Sequence, residues 1–156
     1  MTLEVTETEA LKDLSQLQKV IEKCSDLGIR VILDDFGTGQ ASLTSLQYLS
    51  VGGIKIDQGF VGKIRECPKA QAIVSSLVSV CQMMQIEAIA EGVQDEDDGQ
   101  TLIRMGCILA QGYAIARPMS ENEIPGWISS WRPFRSWTKN EDLCSPGKRK
   151  NPEGLC

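Results

Sequence analysis

Histidine is absent from all 156 residues. That absence excludes a histidine-ligated metal centre and any Ser-His or Cys-His catalytic unit within this chain. Six cysteines are present, at 24, 67, 81, 107, 144 and 156, but none are paired at the close spacing of a zinc site or a redox dithiol. Cys24, Cys81 and Cys107 lie among apolar neighbours and read as core residues of a protein from a reducing compartment. Long apolar runs are lacking too. No stretch approaches the length needed to cross a membrane, and no signal-peptide pattern opens the chain. The expected location is cytoplasmic. Basic residues are in deficit: 16 Lys and Arg stand against 21 Asp and Glu, a net charge of −5. That argues against non-specific binding to DNA or to a membrane surface. It leaves room for a phosphate-bearing ligand, because bound metal ions can reverse a local field.

What remains is an ordinary globular composition, 42% hydrophobic and 24% charged, in a chain long enough for one domain with a real core. Its most informative stretch is Val31-Ile32-Leu33 followed by Asp34-Asp35 and the turn Phe36-Gly37-Thr38-Gly39. Two adjacent carboxylates where a buried strand meets a loop are costly unless a cation or a donor answers them. Two divalent ions, each drawing on one of the pair, would answer both. The pattern recurs. Ile54-Lys55-Ile56-Asp57 is a short apolar strand carrying charge. Ala88-Ile89-Ala90 ends in Glu91, Ile108-Leu109-Ala110 ends in Gln111, and Leu3-Glu4-Val5-Thr6-Glu7 opens the chain in the same manner. Polar groups closing several apolar strands suit a parallel α/β barrel with its active site on one rim.

Strand-like and helix-like segments alternate, which favours parallel pairing through right-handed crossovers. Strands are expected at 2–6, 29–34, 53–57, 86–91 and 108–110. An amphipathic helix is expected over 9–27, with Leu11, Leu14, Leu17, Val20, Ile21 and Cys24 at helical spacing and Gly28 as its stop. A short helix should carry Leu43, Leu46 and Leu49 on one face. Further helices are expected at 69–84, after Pro68 in a first turn, at 95–105 behind an acidic start, and at 121–131. Lys55 lies between two isoleucines, so its side chain should leave the sheet on the opposite face from theirs. Residues 1–137 read as the domain, and 138–156 as a flexible tail whose Lys148-Arg149-Lys150 run is a solvated end. Trp127, Trp131 and Trp137 read as packing residues.

Taken in order, the strings Glu4-Val5-Thr6-Glu7-Thr8, Asp34-Asp35-Phe36-Gly37-Thr38-Gly39, Ile54-Lys55-Ile56-Asp57, Ala90-Glu91-Gly92-Val93, Ala110-Gln111-Gly112-Tyr113 and Arg117-Pro118-Met119 resemble the EAL family of cyclic di-GMP phosphodiesterases. The resemblance covers about residues 2–130. It implies a TIM-like barrel and metal-dependent hydrolysis of cyclic di-GMP to the linear dinucleotide. It also implies roles. Glu4 and Asp34 would bind one Mg²⁺ or Mn²⁺ ion, and Asp35 would serve a second. Lys55 would hold the nucleophilic water and the developing charge. Glu91 would be a metal-site carboxylate or general base, and Gln111 would help to position the site. Glu7 would brace the loop from Phe36 to Ser42, a loop implied to join dimer contacts.

The resemblance has gaps. The Glu-Ala-Leu strand and the asparagine-bearing strand that follows it in the family are missing, so the chain is expected to be a partial barrel without its N-terminal strands, inactive alone. Gln40 stands where the family carries an aromatic residue. Two other readings stay open: a non-catalytic binding or protein-interaction module, and a half-barrel that folds by pairing with another copy or a complementing half. Blander roles are also open for single residues. Asp34-Asp35 could be a solvated strand end, Lys55 a surface lysine, Glu91 a capping acid, Gln111 a structural amide, and Glu7 a neighbour of Thr8 capping the first helix.

Overall fold

The computed structural model describes residues 1–10, 13–37 and 43–138. Five strands form one sheet in the order β1-β2-β3-β4-β5, each adjacent pair parallel. They are β1 (Thr2–Thr6), β2 (Arg30–Phe36), β3 (Gly53–Ile56), β4 (Glu87–Ala90) and β5 (Leu109–Ala110). Spatial order equals chain order, the arrangement of successive strand–helix units curling towards a barrel. Val31, Ile32 and Leu33 are buried in succession, as are all four residues of β3, because both faces of the sheet are covered there.

Helices lie along one face. The first, α1 (Glu7–Ala10), is separate from α2 (Leu14–Asp26), so the single helix expected over 9–27 is corrected to two. Asp13 causes the new start. Its side chain accepts from the Gln16 N–H at 2.9 Å and caps α2. The cap left open for Thr8 is supplied by Thr6, whose hydroxyl accepts from the Glu9 N–H while donating to the Glu9 carboxylate at 3.1 Å. Thr6 thus caps α1 through its hydroxyl. The short α3 (Leu43–Tyr48) buries Leu46, with Leu49 buried just beyond it; the side chain of Leu43 and residues Leu11 and Gln40 lie outside what is described.

One helix follows β3 unannounced by the sequence pattern. It is α4 (Gln58–Val61), capped by Asp57, which accepts from the Gly59 N–H at 2.8 Å. The long α5 (Pro68–Met84) starts on proline as expected and buries Ala70, Val74, Leu77, Val78 and Cys81. It packs on β3 and β4, while α2 packs on β2. Then come α6 (Glu96–Arg104), α7 (Ile124–Ser130) and a second unexpected turn of helix, α8 (Arg135–Thr138). Trp137 of α8 packs against the core, and its indole N–H donates to the Glu96 carbonyl at 2.8 Å. The core joins Leu33, Ile54, Ile56, Val74, Val78, Ala90, Val93 and Leu102 between sheet and helices. Cys81 and Cys107 are buried within it and Cys24 packs at its margin, all three as free thiols. Among the described residues, no helix is long and apolar enough to cross a membrane.

The acidic start of α6 does more than face a helix dipole. Asp95 caps the helix by accepting from the Asp98 N–H at 2.9 Å. Arg65, in the segment after α4, reaches Asp95, Asp97 and Asp98 at 2.7, 3.3 and 3.0 Å. Asp98 is buried and also accepts from the Gln94 N–H at 3.3 Å. One arginine thus ties the segment after α4 to the start of α6.

Candidate active site

Parallel pairing places the C-terminal ends of all five strands at one rim. Thr6 pairs with Asp34, Phe36 with Ile56, Ile56 with Ala90, and Ala90 with Ala110. Asp34, Asp35, Glu91 and Gln111 therefore gather at that rim although 77 residues separate the first from the last. Regular alternation would send Asp34 and Asp35 to opposite faces of β2. The pairing of β2 with β3 is irregular at that point. Leu33 pairs with Ile54 and Phe36 with Ile56, so β2 carries one residue more than its neighbour. Asp35 absorbs the extra residue in a left-handed conformation, φ 55°, which aspartate tolerates better than most residues. Phe36 returns to the core at 2% exposure. Oxygens of Asp34, Asp35 and Glu91 consequently lie within 4.8 Å of one another.

Lys55 lies at the centre of the arrangement. Ile54 and Ile56 point into the core beneath the helices, and Lys55 points the other way. Its ammonium donates to Glu91 at 2.7 Å, to Asp34 at 3.0 Å and to Glu4 at 3.1 Å. Only 6% of the Lys55 side chain is exposed, against 50% of Glu4, 22% of Asp34 and 12% of Glu91. Burial works against the lysine charge. The bonds from Glu91, Asp34 and Glu4 together outweigh it, and the pKa is held above that of an ordinary lysine. Glu91 sees the reverse balance. Burial raises its pKa first of all, Lys55 lowers it, and the nearby charges of Asp34 and Asp35 raise it again. The two shifts are compatible because the lysine faces three anions while the glutamate faces one cation and two anions.

Gln111 donates its amide to Glu91 Oε1 at 2.6 Å. Gly112 beside it can carry no side chain, since a Cβ would overlap the backbone of Val93. A cleft of about 490 Å³ opens next to Gln111, lined by Gln58, Gln94, Tyr113, Arg117 and Pro118 among others. The Arg117 guanidinium lies over the Tyr113 ring at 4.5 Å. Its motif had been read in the sequence, but Gln58 and Gln94 had not. The only sequence sign for Gln58 was the Asp57-x-Gly59 cap that turns the chain just past β3. Glu7 opens α1, and its side chain and residues 38–42 of the loop it was expected to brace lie outside the described residues.

The structure thus brings together Glu4, Asp34, Asp35, Lys55, Glu91 and Gln111. Hard carboxylate donors converging from separate strands fit Mg²⁺ or Mn²⁺ better than a softer ion. Lys55 and the three carboxylates it touches leave two negative charges unmatched, the charge of one divalent ion, and Asp35 adds a third.

A parallel α/β sheet of TIM-barrel type with a carboxylate–lysine cluster on its C-terminal rim defines the class. The EAL domain model matches residues 1–118, and the chain belongs to the EAL family of cyclic di-GMP phosphodiesterases. It is 36% identical over 124 residues to the bifunctional diguanylate cyclase/cyclic di-GMP phosphodiesterase MucR of Pseudomonas aeruginosa, covering 80% of this chain and 18% of that protein. Among solved structures it is similar to the EAL domain of Mycobacterium smegmatis DcpA, with a TM-score of 0.79 and 31% identity, over 84% of this chain and 58% of that one. It is also similar to Klebsiella pneumoniae BlrP1 in a manganese and cyclic di-GMP complex, with a TM-score of 0.71 and 35% identity, over 75% of this chain and 30% of that one. The chain spans about a fifth of the length of the first curated relatives it matches.

Proposed function

We propose that this rim hydrolyses one phosphodiester of cyclic di-GMP to the linear dinucleotide, using Mg²⁺ or Mn²⁺ held by Asp34, Asp35 and Glu4. The observation that carries the reading is the convergence of the Asp34, Asp35 and Glu91 oxygens around a buried lysine. When bound, such ions would polarise the phosphoryl oxygens and lower the pKa of the attacking water. The chain's own residues do the rest. Glu91, with its pKa raised by burial, accepts the proton of that water as oxygen bonds to phosphorus and the bond to the leaving ribose oxygen breaks. Lys55 orients the water and offsets the charge growing on phosphate. Gln111 fixes the Glu91 rotamer. The cleft beside Gln111 has the size and the stacked Arg117–Tyr113 pair to receive a nucleobase. The domain is proposed to span 1–137; Thr138 of the expected tail still belongs to α8, and residues 139–156 lie outside the described residues. Turnover by the 156-residue chain alone is expected to be negligible, because five strands leave part of a TIM-type rim unbuilt.

A second reading concerns assembly. Among the described residues β1 and β5 each have one neighbour, so two sheet edges are open. The sheet face carrying Lys55 mixes Glu4 and Lys55 with Ile32, so the edges supply the stronger drive. The chain is proposed to pair with a second copy or with a complementing barrel half.

The test joins this chain to the N-terminal strands of the MucR phosphodiesterase domain and assays conversion of cyclic di-GMP to the linear dinucleotide by chromatography. Manganese-dependent turnover that Asp34→Asn abolishes is expected. Turnover indifferent to that change, or none in a folded chimera, would overturn the reading.

A further inference from the structure

Lys55 touches Glu4, Asp34 and Glu91 at 3.1, 3.0 and 2.7 Å, and two of these belong to the trio of carboxylates whose oxygens converge within 4.8 Å. Two of the carboxylates a divalent ion would draw on are therefore already engaged by an ammonium, through one oxygen each. On Glu91 the contact atom is Oε1, which Gln111 also occupies. On Asp34 it is Oδ1, which also accepts the Asp35 N–H at 3.0 Å. Glu91 and Asp34 are largely withdrawn from water, and without a cation among them the carboxylates would repel one another at short range. Among the described residues, the ammonium is the one cation in contact with all three.

From this geometry we infer that Lys55 is a built-in counter-ion, a positioning residue that holds the metal-binding carboxylates together without a metal and must yield part of its contacts when a divalent ion enters. This rests on the metal-dependent reading given above. The lysine then works in two opposed directions. It stabilises the ion-free fold, and it weakens the ion's hold by competing for the same carboxylates. A neutral side chain of similar length should reverse both effects. The protein would become less stable without metal and more dependent on it, an arrangement in which binding energy replaces the lost pairing.

The experiment uses the full chain and two variants, Lys55→Met and the double variant Lys55→Met with Glu91→Gln. Urea unfolding in EDTA reads the first effect. Lys55→Met should unfold at lower urea than the wild type, and adding Glu91→Gln should restore part of the loss by removing one of the repelling charges. A role in packing alone would make the two losses add. Calorimetric titration with Mn²⁺ reads the second effect, with Lys55→Met binding roughly tenfold tighter than wild type. Lys55→Met as stable as wild type in EDTA overturns the inference, and so does a double variant less stable than Lys55→Met. If Lys55→Met does not fold, a folded double variant supports the charge role, and an unfolded one overturns it. Mn²⁺ binding to the wild type with no gain in the variant overturns the competition while leaving the metal reading intact. Binding to neither protein overturns the metal reading itself, and with it the competition.

Discussion

Gln111 and Glu91, twenty residues apart and each just past the end of one of two adjacent strands, meet at 2.6 Å through the oxygen of Glu91 that also receives Lys55. One carboxylate oxygen thus serves two donors, and the rotamer of Glu91 is fixed from both sides. Its second oxygen remains for other partners. A carboxylate so held can keep its position while its protonation changes, which suits a group that must take a proton and return it.

In a chimeric barrel that turns over cyclic di-GMP, Lys55→Ala and Glu91→Gln should each lower kcat by roughly a hundredfold or more, the usual loss for a proton-transfer or charge-stabilising group. Gln111→Ala should cost less, since it acts through Glu91. Steady-state kinetics at saturating Mn²⁺ would check the order. A Gln111→Ala loss exceeding that of Glu91→Gln would contradict it.

Gly112→Ala should destabilise the fold by roughly 2 kcal/mol or more, because the added Cβ meets the backbone of Val93 and not a flexible side chain. Gly28→Ala is the control: its positive φ carries strain, but nothing lies within 4 Å of the added carbon. Chemical denaturation should place Gly112→Ala well below Gly28→Ala in midpoint.

Within the Arg65 cluster the three aspartates should not be equivalent. Asp98 has 8% of its side chain exposed and also receives the Gln94 N–H, whereas Asp97 is 69% exposed. Asp98→Ala should therefore lower the melting temperature clearly and Asp97→Ala hardly at all. Equal melting temperatures for the two variants would show that burial of Asp98 adds nothing.

The thiols of Cys81 and Cys107 are both pushed up to about 11, chiefly by burial. At pH 8 the folded protein should protect both from iodoacetamide, while the partly exposed Cys67 reacts. Their raised values also set a pH dependence. The folded state holds these protons more tightly than the unfolded chain, with its thiol value of 9.0. Their contribution is complete below pH 9 and is lost as pH climbs through about 11. Melting temperatures should decline across that window. Peptide mass mapping of alkylated sites checks the first expectation and alkaline melts the second.

Much of the rim was legible because a parallel sheet collects strand ends. Once Asp34, Glu91 and Gln111 were seen to close apolar runs, their meeting followed from topology alone. Lys55 was legible for a different reason: two isoleucines fix its face by alternation. The Arg65 cluster was not. Asp95, Asp97 and Asp98 announced a helix start, but their partner lies 30 or more residues earlier in the sequence and no periodicity connects them. The break between α1 and α2 was hidden because leucines keep helical spacing across it, and only the backbone bond to Asp13 reveals the new start. The joint action of Asp34 and Asp35 was expected from their chemistry, yet strand geometry alone would have parted them.

Strand β2 is one residue longer than its partner between Leu33 and Phe36. Length there is a chemical variable. Removing one residue would restore plain alternation, keep Phe36 in the core and leave the rim one carboxylate short. Surface turns can lengthen or shorten over time with little effect on what the sheet presents. These few positions cannot, because the extra residue is what sets a second carboxylate beside the first. Drift in such a lineage should thus be free in residue type around this segment and closed in residue number within it.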